Sequence, residues 1–370
     1  MRVALVHDYL TQMGGAERVL AALHDLFPDA TVWTSLVDRA ALPPEWATWD
    51  IRPASRLSVR LPARQHRLLL PLYPPIFAGI GRHLSPELDL LISDSSAWAH
   101  RVVAPPGVPH LCYCHSPARF LWGDAAYLGP ARLPRVARPA LDAVFAALRH
   151  GDRRAAARVT RFLANSATVA RRIEAAYGVV APVVYPPVEL DRFAADHGPP
   201  EDWFLVVSRL VPHKRVDLAI AACERAGVPL KIIGTGRDEA SLRATAPPGV
   251  EVLGGLDDGE VAAAMGRCRA LIVPAMEDFG ITAVEAQAAG RPVVALGAGG
   301  ALETVVHGET GILFAEPTVD SLAEALRAVD HIDGDVARCR ANAARFHPDR
   351  FRAAIGDHAE DLTGQRPGGT

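Results

Sequence analysis

The chain has 370 residues, more than one ordinary hydrophobic core organises, and this length suits two domains. Its composition, 49% hydrophobic and 22% charged, is that of a soluble globular protein, and a formal net charge of -3 argues against wholesale nucleic-acid binding. Cysteines 112, 114, 223, 268 and 339 are odd in number and set mostly in apolar runs, which fits buried reduced thiols in a cytoplasmic protein better than a disulfide framework.

The opening "RVALVHDY" reads as a buried first strand, not as a signal peptide. "GGAERVLAALHDLF" follows as a loop and helix with Val19, Leu20, Leu23 and Leu26 on one face. "ATVWTSLV", "LDLLISDS" and "PHLCYCHS" are further short strands, separated by Arg-rich, irregular stretches at 52–82 and 130–160. The longest apolar run, Leu68 to Ile80, holds three prolines and is too short and broken to span a bilayer. "TRFLANSATVARRIEAAYG" is another strand and helix, and "PVVYPPVELDRF" another strand and turn. The polar "AADHGPPED" (194–202) is expected to be a linker. Beyond it the alternation restarts with "WFLVVSRL", "LKIIGTG", "VEVLGGL", "ALIVPA", "PVVALG" and "GILF", each followed by a helix, and a charged helix closes the chain. Alternating strands and helices imply two mostly parallel α/β sheets, over 1–195 and 200–345, and the helix at 346–370 is expected to pack back towards the first. Ligands of such sheets bind outside the carboxyl ends of the strands.

Two Gly-rich turns link a strand to a helix, "MGGAER" (13–18) and "GTGRDE" (234–239). Neither completes a dinucleotide fingerprint, because Glu239 stands where a third Gly belongs. Gly14 and Gly15 allow backbone N–H groups to approach an anion at a helix start, or simply form a tight turn. Arg209 and Lys214, just after a buried strand, are either a diphosphate clamp or a solvated basic loop. His115 follows the strand carrying Cys112 and Cys114. That C-x-C-H group lacks the second cluster of a structural zinc site, so both cysteines read as core, while His115 is either structural or functional. Asp333 and Asp335 form a D-x-D pair between late helices, away from any strand end, and read as an exposed turn and helix cap. "EDFGITAVEA" (277–286) sets Glu277 and Glu285 eight positions apart in an apolar segment: a plain acidic helix start, or two carboxylates gripping opposite ends of one ligand.

Taken together, these segments resemble the retaining nucleotide-sugar glycosyltransferases of family 4, which have the GT-B fold. The resemblance runs in the family's order over nearly the whole chain: "GGAERV", "YCHSPARFLW", "ANSATVARRI", "VVYPPVELDRF", "SRLVPHKRVD", "IIGTGRDEASLR", "VEVLGGL", "EDFGITAVEAQAAGRPVVALGAGGALETV" and "GETGILF". It implies two Rossmann-like domains facing across a cleft. It places Glu277 by the donor-sugar hydroxyls and Glu285 on the ribose, with the backbone of Phe279, Gly280 and Ile281 facing sugar and diphosphate. Arg209 and Lys214 then neutralise the diphosphate without a metal or other cofactor, Gly254 lies near the base, Gly14 and Gly15 near diphosphate and acceptor, and His115 at the transferred sugar. Asp8 either assists the acceptor or caps a turn. "YCHSPARFLW" is similar to bacterial mannosyltransferases of polysaccharide assembly, which favours GDP-mannose as donor, with a UDP-sugar as the alternative and a glycan or lipid-linked acceptor. Competing readings are a nucleotide-sugar hydrolase or epimerase and a non-catalytic binding subunit; a sugar phosphorylase would normally bring a cofactor lysine or a larger chain, and neither signal is present.

Arg52, Arg56, Arg60, Arg64 and Arg67 appear with no acid between them, and Leu68, Leu69, Leu70, Tyr73, Ile76 and Phe77 follow. A basic run beside apolar residues suits peripheral contact with the inner face of the cytoplasmic membrane, and equally a loop packed on its own domain.

Overall fold

A computed structural model describes residues 1–54, 72–123, 138–332 and 335–367, with the backbone only for 138–141. The chain divides into two compact units, Met1–Tyr185 with Phe351–Thr370, and Pro186–Arg350.

The first unit runs β1 (Val3–His7), α1 (Gly15–Leu26), β2 (Thr31–Thr34), β3 (Ile51–Pro53), α2 (Tyr73–Ile80), β4 (Leu90–Ser95), β5 (His110–Cys114), α3 (Arg119–Trp122), α4 (Arg138–Ala156), β6 (Arg161–Ala164) and α5 (Ala167–Tyr177). Its strands form a six-stranded sheet in the order β3-β2-β1-β4-β5-β6, with every pairing parallel. β1, β4 and β5 are buried along their whole length, which is why they read as unbroken apolar runs rather than as alternation. One face packs Leu5, Ile92 and Leu111 on Val19, Leu20 and Leu23 of α1. The other packs Val6 and Leu91 on Tyr73, Phe77 and Trp98.

The second unit runs β7 (Phe204–Val207), α6 (Val216–Ala226), β8 (Leu230–Ile233), α7 (Glu239–Thr245), β9 (Val250–Gly254), α8 (Asp258–Arg267), β10 (Ala270–Val273), α9 (Ile281–Ala288), β11 (Val293–Leu296), α10 (Ala301–Thr304), β12 (Gly311–Phe314), α11 (Val319–Ala328) and α12 (Val336–Ala343). Its sheet, β12-β11-β10-β7-β8-β9, repeats the plan of the first. In each, strand order reverses beside the unit's first strand, at β1/β4 and at β7/β10, and loops leaving the carboxyl ends there diverge to leave room for a ligand. The last helix, α13 (Pro348–Thr363), belongs to the first unit from Phe351 onward and sends Phe351, Ile355 and Ala359 into its core.

Three expectations change. Residues 194–202 are not a linker: Phe193 is fully buried, the Glu201 N–H donates to Arg267 O at 2.7 Å, and Arg291 donates to Gly198 O at 2.6 Å. The chain passes between units at Tyr185–Pro186 instead. Tyr73 and Phe77 offer no surface to a membrane, because they are buried on Trp98 in the core. Arg52 is paired with Asp50 at 2.7 Å and lies over the Trp33 ring, while Arg56, Arg60, Arg64, Arg67 and Leu68 to Leu70 fall outside the described residues.

Candidate active site

In the second unit the switch point gathers the predicted acids and a cation. β10 ends at Val273 and the chain runs through Glu277 to Gly280, whose φ of 89° is left-handed backbone that favours glycine. That turn starts α9 at Ile281 with no side-chain cap, so its first N–H groups and the helix dipole favour an anion. A short turn after β7 carries Lys214, whose Nζ donates to both Glu277 oxygens at 2.5 and 2.7 Å. Both side chains keep slightly under a fifth of their surface exposed, so the pair is shielded yet open to exchange. Arg209 is exposed and has no side-chain partner among the described residues. Lys214 and Arg209 therefore differ: one is held by Glu277 and the other is exposed.

Glu285 lies buried within α9, and Arg192 stands 3.6 Å from it. Arg192 also bonds Asp258 at 2.5 Å. Phe279 is buried edge-on against Phe346. The 277–280 backbone rests on the glycines of "GAGG": Gly300 N donates to Glu277 O at 2.9 Å, and a Cβ on Gly300 would stand 2.2 Å from Phe279 O. Gln287 bonds Ala283 O, Thr304 O and Asn342, fixing α9 about its own axis. Gly254 ends β9 with φ 84° and accepts from Gly234 N. Asp335 caps α12 by accepting from Ala337 N at 2.8 Å, while Asp333 lies outside the described residues.

In the first unit, α1 begins at Gly15 with no side-chain cap. Gly14 is extended, so its backbone does not demand glycine; a Cβ there would stand 3.1 Å from Glu17 Oε2. Asp8 is corrected to a turn-former. It is buried, and its two oxygens accept from the N–H groups of Ser96, Ala97, Trp98 and Ala99 at 2.6–2.8 Å, which leaves little capacity for an acceptor sugar.

His115 follows β5, its ring edge-on to Tyr113, and its Nε2 lies 2.6 Å from Asp94 Oδ1. Asp94 Oδ2 lies 2.8 Å from His7 Nδ1, and His7 Nε2 is 3.9 Å from Glu17. Burial pushes the His7 imidazole down, but the hydrogen bond to Asp94 and the charge of the nearby Glu17 carboxylate more than reverse it and lift it to about 10. Burial pushes the Asp94 carboxyl up, and the two histidines outweigh it and hold it below the usual carboxylate range. His7, Glu17 and Asp94 were not singled out in the sequence, nor was Arg192. Asp94 and His7 are available as polar residues at the ends of buried strands, a position where functional groups gather. Cys112 and Cys114 are buried core thiols, pairing with Val169 and Ile173, and no cluster among the described residues has the make-up of a metal site.

Behind this row, the fully buried Asp152 accepts from Arg101, Trp122 and Tyr177 and contacts His100 at 3.2 Å. Burial raises its carboxyl, and His100 with Arg101 more than reverses that. Ser95, His100 and Asp152 stand in a row, but all are buried, so they tie α3, α4 and α5 to the sheet rather than offer a nucleophile.

Two doubly wound parallel sheets, with polar and charged residues set at both switch points, define a two-domain α/β protein of the GT-B class. Family models agree. The Glycosyltransferase Family 4 model matches residues 13–192 and the Glycosyl transferases group 1 model residues 188–346, so the chain belongs to the GT-B glycosyltransferases. Glycogen synthase of Mycobacterium tuberculosis is 39% identical over 164 residues, 40% of this chain and 38% of the relative. The chain thus matches about two fifths of the length of such curated relatives. Among solved structures, Anabaena HepE in complex with UDP and glucose shares the fold at a TM-score of 0.70 and 19% identity, over 97% of this chain and 99% of that one. Sucrose-phosphate synthase of Thermosynechococcus elongatus does so at a TM-score of 0.75 and 16% identity, over 98% and 100%.

Proposed function

We propose that the protein is a hexosyltransferase that moves a sugar from a nucleoside diphosphate donor to a glycan or lipid-linked acceptor. The observation that carries this reading is the β10–α9 connection: a carboxylate held by a cation, a left-handed glycine, an uncapped helix start and a second, buried carboxylate along the helix. Glu277 takes the sugar hydroxyls and Glu285 the ribose hydroxyls. The backbone at Phe279, Gly280 and Ile281 receives the sugar and diphosphate, and Arg209 with Lys214 neutralises the diphosphate as it leaves. Gly254 lies by the base, His115 touches the transferred sugar, and Gly14 with Gly15 serves the diphosphate and acceptor.

The chemistry follows from the leaving group. The bond between the anomeric carbon and the diphosphate oxygen breaks, and its electron pair departs with the phosphate. The acceptor hydroxyl oxygen bonds to that carbon from the same face and gives its proton to the departing phosphate. Configuration is retained, and cationic side chains supply the neutralisation that a divalent metal supplies elsewhere. Mannose from GDP-mannose is the first reading, from the "YCHSPARFLW" motif. Glucose from a UDP donor is the second, favoured by the UDP and glucose in the HepE complex and by the glucan-forming names of the relatives.

Among the described residues no helix is long and apolar enough to cross a membrane. For a lipid-linked acceptor we assign peripheral contact to the run Arg52, Arg56, Arg60, Arg64 and Arg67, all but Arg52 lying outside the described residues.

A panel of GDP-, UDP-, ADP- and dTDP-sugars, with and without glycan and lipid-linked acceptors, tests the function. Transfer that requires acceptor, with the anomeric configuration kept by NMR, is the expected result. Turnover without acceptor makes the protein a hydrolase or epimerase, and tight binding without turnover makes it a binding subunit.

A further inference from the structure

The row under His115 has no role yet. Three adjacent strands bring it together: His7 is in register with Asp94 on the neighbouring β4, and His115 follows the end of β5, its N–H bonded to Ser95 O. The Asp94 carboxylate is divided between two rings, Oδ2 to His7 Nδ1 at 2.8 Å and Oδ1 to His115 Nε2 at 2.6 Å. Of the three side chains only His115 reaches solvent, at 15% exposure against 3% for His7 and 1% for Asp94. Burying charge this deep is costly, and well-packed apolar side chains in the same space are often as stable or more so. A row built so is better explained by what it does to its one accessible member.

Resting on the proposed function, in which His115 touches the transferred sugar, we propose that Asp94 and His7 are positioning residues: Asp94 decides which ring nitrogen of His115 carries the hydrogen, and His7 holds Asp94 in the geometry that does so. The reasoning is local. A carboxylate only accepts, so the His115 nitrogen facing it, Nε2, must donate. The hydrogen bond made by one ring nitrogen sets the state of the other. Neutral His115 therefore offers Nδ1 as an acceptor, the correct partner for a sugar hydroxyl that donates. His7 donates from Nδ1 to Asp94, and the Glu17 carboxylate of α1 stands 3.9 Å from its Nε2, so acids on both sides hold the ring, and the ring in turn holds the Asp94 carboxylate towards His115. Gly14 leaves room for this: a Cβ there would press on Glu17 and displace the far end of the row.

Long-range proton–nitrogen NMR on the nitrogen-15-labelled full chain tests the tautomer directly, and needs neither substrate nor variant. At pH 8.5 wild-type His115 is expected in the Nε2–H form; an Nδ1–H ring overturns the proposal. In Asp94→Asn the amide oxygen is drawn to His7 and the amide N–H₂ faces His115, so its ring is expected to switch to Nδ1–H. Turnover should then fall at least ~100-fold, as expected when an orienting acid is replaced by its amide, with donor KM within ~threefold of wild type. His7→Gln should lower kcat about tenfold, again at nearly constant KM, and move the pH profile. Nucleoside diphosphate binding, measured by thermal shift, confirms that each variant folds. A folded Asp94→Asn that keeps the Nε2–H ring, or that turns over within ~threefold of wild type, refutes the proposal. If wild type transfers no sugar from any donor, the function falls, and the NMR experiment still decides the positioning.

Discussion

Replacing His7 by Gln removes a cation buried between Asp94 and Glu17, and the consequence can be worked out as a dependence of stability on pH. The ring is raised to about 10 in the folded chain, from 6.5 in the unfolded one. Between those values the folded protein holds a proton that the unfolded chain has released. The stabilisation is therefore complete below pH 6.5 and is lost as pH rises towards about 10. Well inside that window each pH unit removes on the order of 1 kcal/mol, which makes about 2 kcal/mol from pH 6.5 to 8.5, because the slope is only half developed at pH 6.5. The group is buried, so solvent screening does not reduce this much. Other groups set the limits of a clean window. Burial lifts the Cys223 and Cys268 thiols to about 12 and Cys339 to about 11, so at high pH the unfolded thiols ionise first and add their own loss. Burial also lowers the buried His110 to about 3, so below pH 6.5 the unfolded chain takes up a proton that the folded one does not. Stability should thus peak near pH 6.5.

Urea unfolding at pH 6.5, 7.5 and 8.5 and constant ionic strength reads this. Tryptophan fluorescence is the probe, because Trp33, Trp46, Trp49, Trp98 and Trp122 lie in the first unit with His7, and only Trp203 lies in the second. Wild type should lose about 2 kcal/mol across the range, while His7→Gln starts less stable and shows little of that slope. A wild-type stability that is flat from pH 6.5 to 8.5, or an equal slope in the variant, refutes the charged row.

Glu285→Ala should weaken nucleoside diphosphate binding by about 1–3 kcal/mol as ribose hydroxyls lose an acceptor, whereas Glu277→Ala should mainly lower turnover; the opposite ranking by calorimetry means the acids are assigned to the wrong ends. Transfer should persist in EDTA, and loss restored by Mg²⁺ or Mn²⁺ would return attention to Asp333 and Asp335. Gly300→Ala should destabilise the second unit by about 1–3 kcal/mol, since its Cβ meets the Phe279 backbone at 2.2–2.5 Å; an unchanged melting temperature contradicts the close approach. Binding to anionic vesicles should fall with salt and with Arg56, Arg60 and Arg64 replaced together by Ser; indifference to such vesicles at low salt makes this run an ordinary loop.

Much of the fold was legible because parallel strands buried on both faces are continuous apolar runs, and the loops between them break those runs cleanly. What escaped was whatever lacks that signal. β3 buries only Ile51 of its three residues and ends in Pro, so it has no run to read. α4 is 19 residues long but mostly exposed over 142–150, and its apolar spacing of Leu141, Phe145 and Leu148 is easily lost in an Ala- and Arg-rich setting. The boundary at 194–202 was misplaced because polarity marks exposure, and a polar segment can still be tied down by backbone bonds such as Glu201 to Arg267.

The site divides along the same line. Glu277, Glu285 and Lys214 were legible as types at strand ends, yet the pairing of Lys214 with Glu277 spans 63 positions and that of His7 with Asp94 spans 87. Separation that large is closed by strand order alone. His7 meets Asp94 because the sheet reverses at β1 and places β4 beside it, and His115 joins them because β5 comes next. A sequence ranks which residues have chemistry to offer; which of them share a proton is decided by the register of strands that no local pattern specifies. The same reversal that opens a crevice for a ligand therefore also lines up the row beneath His115, so the proposed binding position and the proposed positioning of the ring share one topological cause.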